Sequence, residues 1–239
     1  MQPTDRLKQF LRARLTRERF LGLHFTLGVL VLVGATWLFG AIAEDVVHGD
    51  AITLTDVRFS NWIHNHATPA MTTAMLIVSG IHNSIGTTII TLSVIIWLVR
   101  RRLIYWAIAF AISVYGGMLL NVLLKNIFHR ARPHFDNPIL TLNSYGFPSG
   151  HTMMATTLYG ALCAFVFFEV HNWIWRTIAV CSATIIIALV AFSRIYLGAH
   201  YLTDVVAASV EGLFWLALCL TVSDTKRRWE REVRTNLGR

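Results

Sequence analysis

The sequence predicts an all-α integral membrane bundle of six transmembrane helices, with an interfacial helix between the first and second spans. Three observations carry this prediction. Of the 239 residues, 55% are hydrophobic and only 14% charged. The apolar residues gather in runs near the ~20 residues that a bilayer core requires. The basic residues cluster at the ends of those runs. Such a composition excludes an ordinary soluble domain.

Taken in order, the spans are expected at residues 22–43, 71–99, 103–124, 153–170, 174–192 and 205–222. The first follows Arg6, Lys8, Arg12, Arg14, Arg17 and Arg19 and ends on Ala41-Ile42-Ala43, which imitates a secretory signal and its cleavage site. Its apolar stretch outruns the roughly 7–15 residues of a signal core and further spans follow, so it reads as an uncleaved first helix. Residues 44–69 set Val57, Phe59, Trp62 and Ile63 among polar neighbours, the pattern of an amphipathic helix lying at the interface as a cover. The second span is interrupted near Gly80-Ile81-His82-Asn83, as either one tilted helix or a short approach helix followed by a span. Trp37, Trp62, Trp97, Trp106, Trp173 and Trp175 fall near span ends, where an aromatic belt accounts for most of them.

Lysine and arginine set the orientation. Six spans place sixteen of them on the side that holds both chain ends, including Arg100-Arg101-Arg102, Arg176 and a tail with Lys226, Arg227, Arg228, Arg231, Arg234 and Arg239. The opposite side receives five: Arg58, Lys125, Arg130, Arg132 and Arg194. The expectation is a multi-pass protein of the cytoplasmic (inner) membrane with both termini in the cytoplasm. The basic ends suit anionic lipid headgroups, at about 1 kcal/mol per residue. No soluble unit remains to present that charge to nucleic acid, so no nucleic-acid partner is expected. Cys163, Cys181 and Cys219 lie within apolar runs without metal or redox spacing and read as buried thiols. The chain reads as a single domain, 1–239, with a motif-bearing core at 103–222; nothing in the pattern sets an oligomeric state.

Three motifs interrupt the apolar runs. Lys125 closes the third span and Arg132-Pro133 follows; Pro148-Ser149-Gly150-His151 opens the fourth; Ser193-Arg194 closes the fifth, with His200 and Asp204 beyond. Each cation alone can be explained by snorkelling from a helix end. Together they suit a phosphate: arginine offers a planar fork to two oxygens and lysine a point charge. Proline and glycine begin a helix, Ser149 can cap it, and Gly150 lets backbone amides approach an anion at the positive end of the dipole. His200 and Asp204 are four residues apart, so if a helix begins at Gly198 both share a face and the carboxylate reaches one imidazole nitrogen. That contact would fix the tautomer and leave the other nitrogen free to attack phosphorus. A lone pair at this spacing is more often a surface contact; the adjacent Ser193-Arg194 favours the catalytic reading. His64 and His66, near Glu44 and Asp45, have no third ligand defined by spacing, so no metal is assigned. With six spans, all three motifs face one surface, away from the cytoplasm.

In these motifs the chain resembles the type-2 phosphatidic acid phosphatases, a family that also includes bacterial lipid phosphatases, glucose-6-phosphatase and vanadium haloperoxidases. The family pattern is a lysine, six residues and Arg-Pro; then Pro-Ser-Gly-His; then Ser-Arg, five residues, His, three residues and Asp. Every position is present from Lys125 to Asp204, about a third of the chain. The resemblance implies that His200 is a nucleophile forming a phosphohistidine, oriented by Asp204, and that His151 is the general acid. It implies that Lys125, Arg132, Arg194, Ser149 and the Gly150 amide hold the phosphoryl oxygens. Three cations neutralise a phosphoryl group without a metal, so hydrolysis is expected to need no metal and no cofactor. The expected substrate is a membrane lipid phosphate or diphosphate such as undecaprenyl diphosphate, phosphatidylglycerophosphate or phosphatidic acid, reaching the site sideways beneath the 44–69 cover. Two alternatives remain open here: a lipid phosphotransferase using the same intermediate, and a non-catalytic headgroup binder or transporter.

Overall fold

The computed structural model describes residues 23–237, and every regular element in that range is helical. The six arginines and lysines of residues 1–21, and Arg239, lie outside the described residues. The first span is α1 (Leu23–His48), which runs unbroken through Ala41–Ala43. The cover is α2 (Ala51–Asn65). The interrupted span resolves into α3 (Pro69–Ile81) and α4 (Ser84–Arg100), bent by 52° at the break. Asn83 caps α4 by accepting from the Gly86 amide at 2.8 Å. The third span is α5 (Ile104–Ala111), a π turn (Ile112–Gly116) and α6 (Gly117–Phe128). Then follow α7 (Gly150–Glu169), α8 (Trp173–Tyr196) and α9 (Leu202–Leu237). Five helices are long and apolar enough to cross a membrane, and the bent α3–α4 pair makes a sixth span. The predicted all-α bundle of six transmembrane helices with an intervening interfacial helix is therefore the fold observed.

The helix α7 is the axis of the bundle. Residues Thr152 to Leu158 are buried in succession, on every side of the helix, as befits an element surrounded by others. It packs most extensively on α8 and α9. The α7–α9 crossing is close because Gly212 has no side chain: a Cβ there would lie 2.7 Å from the Thr156 Cβ. Small residues are what permit backbones to approach inside a bilayer, where lipid is as apolar as the packing side chains. The carbonyl freed by the π turn is not orphaned, since the Trp215 indole donates to Ile112 O at 3.2 Å.

Two expectations need correction. Trp106 is not a belt residue: it is buried in the core and donates to Glu169 Oε1 at 2.7 Å, because a span end packed against α7 faces protein instead of lipid. Trp37, Trp62, Trp97, Trp173 and Trp175 are exposed as expected. Of the three thiols only Cys219 is buried, while Cys163 is half-buried and Cys181 exposed; an apolar run on a lipid-facing helix does not imply protein burial. α9 continues helically past its apolar part to Leu237.

Candidate active site

The loop between α6 and α7 and the turn between α8 and α9 meet at one end of the bundle. Lys125 stands in the last turn of α6, and the chain leaves that helix through His129 at φ 48°. The loop folds back on itself by a Gly146 N–H bond to Arg130 O at 2.8 Å. α7 starts at Gly150, so its N-terminus points into the space the loop encloses. Across from it, α8 ends in Ser193, Arg194, Ile195 and Tyr196, all buried. Gly198 then turns the chain at φ 68°, under a Phe135 ring that a Cβ there would meet at 2.7 Å. Only glycine tolerates both the left-handed conformation and that contact.

A cavity of about 390 Å³ lies at this junction. Lys125, Arg132, Gly150, His151, Arg194 and His200 all line it. Six of the eight predicted site residues thus share one hollow, and the other two stand behind its wall. Ser149 is fully buried and its hydroxyl accepts from Thr152 at 3.1 Å, with no capping bond of its own. The expected Ser149 cap is therefore absent. Asp204 is 0% exposed.

Arg132 is held by neutral groups throughout. Its Nε donates to Ser144 O at 2.6 Å, Nη1 to Ala199 O at 2.6 Å, and Nη2 to Ser144 Oγ at 2.9 Å and Tyr145 O at 3.1 Å. Nη1 also donates to His200 Nε2 at 3.1 Å. Arginine has no acceptor, so the His200 Nε2 lone pair accepts this bond and the neutral ring bears its proton on Nδ1. Burial, with the charges of Arg132, Arg194 and Lys125, holds the His200 imidazole well below the usual histidine range. Lys125 Nζ donates to Tyr145 O at 3.1 Å, and Arg194 Nη1 to the Ser79 hydroxyl. Arg194 Nε has no partner among the described residues. Among the described residues no carboxylate pairs with any of these three cations.

His200 Nδ1 and Asp204 Oδ2 lie 3.4 Å apart without a hydrogen bond between them, and they come together by another route than a shared helix face. α9 begins at Leu202, so His200 precedes it in the turn. Asp204 sits in the first helical turn and reaches back to accept from the Tyr201 amide at 2.9 Å, one half of a capping box. That bend brings the carboxylate beneath the ring.

Several residues around the site were not singled out from sequence. Arg130 bonds Asp204 Oδ1 at 2.5 Å and Asp56 Oδ2 at 2.8 Å. Asp56 accepts from the Thr203 amide at 3.0 Å and from its hydroxyl. Burial works against the Arg130 charge, yet the Asp204 and Asp56 carboxylates outweigh it and raise the guanidinium pKa. Asn121 lines the cavity and donates to the buried Glu211 at 2.9 Å. Two signals were available: a further arginine within the first motif, and a carboxylate inside a span, where ionisable groups rarely lack a purpose. The remaining candidates stay apart from the cavity. His64 stacks on Phe135 at 4.0 Å and His66 Nδ1 donates to Trp62 O at 2.7 Å.

The cavity's apolar lining comes from Met118 and Val122 of α6, Leu142 and Met154, with Ser84 of α4 at its edge. None of the lining residues belongs to residues 44–69. Ser84 stands just past the α3–α4 break and Met118 and Val122 on α6, whereas α2 turns Asp56, Ser60 and Ile63 into the protein.

The sequence profile of the PAP2 superfamily matches residues 105–228. This chain belongs to the PAP2 superfamily. Its matched region begins in the third span and ends in α9, so it includes all three motifs. The chain is 32% identical over 133 residues to phosphatidylglycerophosphatase B of Bacillus subtilis (strain 168), covering 53% of this chain and 63% of that protein. It is 28% identical over 133 residues to the undecaprenyl-diphosphatase of Sulfolobus acidocaldarius, covering 54% of this chain and 60% of the relative. The matched region thus spans just under two thirds of the length of these curated relatives. Among solved structures, a transmembrane PAP2-type phosphatidylglycerolphosphate phosphatase from Bacillus subtilis shares the fold at a TM-score of 0.73 and 25% identity, covering 79% of this chain and 93% of that one.

Proposed function

We propose that this PAP2 protein dephosphorylates a membrane lipid phosphate or diphosphate on the extracytoplasmic face, through a phosphohistidine on His200. One observation carries the reading: an unprotonated His200 Nε2 faces a cavity that also holds Lys125, Arg132, Arg194 and the N-terminus of α7. An electropositive pocket with an unprotonated imidazole nitrogen suits phosphoryl transfer, which needs positioning and neutralised oxygens above all. The family membership and the relatives' names support a lipid phosphate as substrate. Phosphatidylglycerophosphate, undecaprenyl diphosphate and phosphatidic acid are the headgroups to assay first. The excess of lysine and arginine at the opposite end of the bundle supports the sidedness, with both termini in the cytoplasm.

In this mechanism Nε2 attacks phosphorus while Lys125, Arg132, Arg194 and the Gly150 amide neutralise the equatorial oxygens. The bond from phosphorus to the leaving oxygen breaks, and His151 donates the proton that oxygen needs. Asp204 faces Nδ1–H and stabilises the positive ring formed on phosphorylation. Water then attacks phosphorus, His151 takes its proton, and the P–N bond breaks to release phosphate and restore His200. Ser149, behind the wall, supports the loop that presents Gly150.

The test is phosphate release from purified lipid phosphates with the His200→Ala variant, beside acid-quenched phosphorus NMR of the wild type. Release should vanish in the variant while lipid binding persists, and the wild type should show an acid-labile phosphohistidine. Undiminished release from the variant sinks the nucleophile; phosphorylated acceptor in place of free phosphate makes the enzyme a transferase. For access, crosslinking Ser84→Cys to Val122→Cys should block lipid hydrolysis and spare a small soluble phosphate ester. Equal loss of both activities counts against passage between the bend and α6.

A further inference from the structure

The carboxylate behind His200 is shared. Asp204 Oδ2 accepts the Tyr201 amide at 2.9 Å and lies 3.4 Å from His200 Nδ1, while Oδ1 takes the Arg130 guanidinium at 2.5 Å. The other arm of Arg130 is bound by Asp56 at 2.8 Å, and Nη1 also donates to Thr203 Oγ1 at 2.7 Å. Asp56 belongs to α2, the cover, and both its oxygens are bonded across a separation of 147 residues to the amide and hydroxyl of Thr203, next to Asp204. The face of Arg130 lies over the Tyr201 ring at 4.7 Å, which shields it. Asp56 is 2% exposed and Asp204 0%, so this chain of charges is screened little by solvent.

We infer that Arg130 and Asp56 form a positioning arm that sets the place and effective charge of Asp204, and through it the readiness of His200, tying the cover helix to the nucleophile. Neither touches the cavity, and none of its lining residues is Arg130 or Asp56. Their action is indirect. A carboxylate with only the imidazole for company draws a proton onto the ring strongly. One already paired with a guanidinium keeps its orientation but draws less, which leaves the ring neutral and Nε2 unprotonated. The second carboxylate, Asp56, holds the guanidinium by Nη2 while Nη1 bonds Asp204 Oδ1. A shift of α2 therefore reaches His200 without any contact with substrate.

The inference rests on His200 being the nucleophile, and the experiment separates the two. The full-length protein in detergent or nanodiscs is assayed as wild type, His200→Ala, Arg130→Gln, Arg130→Lys and Asp56→Asn, recording kcat and KM against pH and thermal stabilisation by vanadate. Residual release from His200→Ala equal to wild type removes the reading itself. With that reading intact, Arg130→Gln should lower kcat about 10- to 100-fold, by analogy with the loss of an outer hydrogen-bond partner behind a metal-binding histidine. KM and vanadate stabilisation should stay near wild type, because the cage cations are untouched. The acid limb of the pH profile should move to higher pH, since the His200–Asp204 pair without its guanidinium takes up a proton more readily. The groups facing His200 from the other elements, namely Lys125 of α6, Arg132 of the loop, His151 of α7 and Arg194 of α8, are the same in every variant, so the displacement reports the arm. Arg130→Lys should return the limb toward wild type while regaining part of kcat, and Asp56→Asn should displace it in the same direction as Arg130→Gln by less. An unmoved limb in these variants, or a loss shared equally by kcat and vanadate stabilisation, overturns the inference and leaves the arm a structural tie. Should Arg130→Gln fail to fold, the limb positions of Arg130→Lys and Asp56→Asn decide.

Discussion

The wall of the cavity and the layer behind it hold the same kinds of residue and arrange them in opposite ways. In the wall, Arg132, Lys125 and Arg194 bond to carbonyls, hydroxyls and an imidazole, all uncharged. Behind it, Arg130 is bracketed by two carboxylates. Two arginines separated by a single alanine thus differ wholly in what their charge meets. A buried cation with only neutral partners is costly, and the cost is offset when an anion arrives. A cation already paired contributes order instead. Binding capacity in this fold is therefore read from which charges lack a counter-charge, and rigidity from which have one.

Breaking the wall should cost most. Arg132→Ala removes a cation and the donor to His200 together, and kcat should fall about 10²–10³-fold, as for loss of one donor to a developing oxyanion. Stabilisation by vanadate, about 2.7 kcal/mol for the wild type at a hundredfold excess over Kd, should largely disappear in the same variant; a thermal-shift titration checks both. Retention of that stabilisation would erase the distinction between the two layers.

The layer behind should respond in stability and geometry first. Glu211→Leu strands the Asn121 amide, which now donates to Glu211 at 2.9 Å in a buried setting, and should cost about 1–3 kcal/mol. Glu211→Gln keeps an acceptor and should cost less, so comparing the two variants by thermal unfolding measures what that hydrogen bond contributes. Gly198→Ala places a Cβ at φ 68° against Phe135, and about 1–2 kcal/mol is expected from the backbone alone. Its kcat should fall further than its stability, because His200 is two residues on.

The smallest effect is a titration. In protein free of phosphate the ring nitrogens of His200 should show the neutral, Nδ1-protonated form by nitrogen NMR from pH 7 to below the ordinary histidine range, since burial and the three cations hold its pKa down. Proton uptake near the ordinary value of about 6.5 would mean that the wall cations are neutralised by something other than substrate. The sign for stability follows: the unfolded chain binds a proton at this ring below that value and the folded chain does not, so this residue's contribution declines as pH falls.

What was legible in the sequence is local. The six spans were readable because each is a run of apolar residues long enough for a bilayer, and the α3–α4 break because Gly80 to Asn83 interrupts one such run. The eight candidate site residues stood out because each motif is a short, fixed spacing at a helix end, and six of them line one cavity. The nearness of His200 and Asp204 was foreseen for the wrong reason: the helix starts at Leu202, and the 3.4 Å approach comes from a capping bend instead of a shared face. Trp106 was misplaced because hydropathy does not distinguish lipid from protein as the apolar neighbour.

What only the tertiary structure decided is who faces whom. The partnership of Arg130 with Asp56 joins residues 74 apart, and that of Asp56 with Thr203 joins residues 147 apart. No spacing rule reaches across such distances, because the contact depends on how a cover helix docks and not on any repeat along one element. The sequence by itself determined that this chain is a membrane bundle carrying three cations and two histidines at helix ends. The packing of α2, α8 and α9 decided which of its arginines were left with an unpaired charge, since only proximity in space lets one buried ion neutralise another.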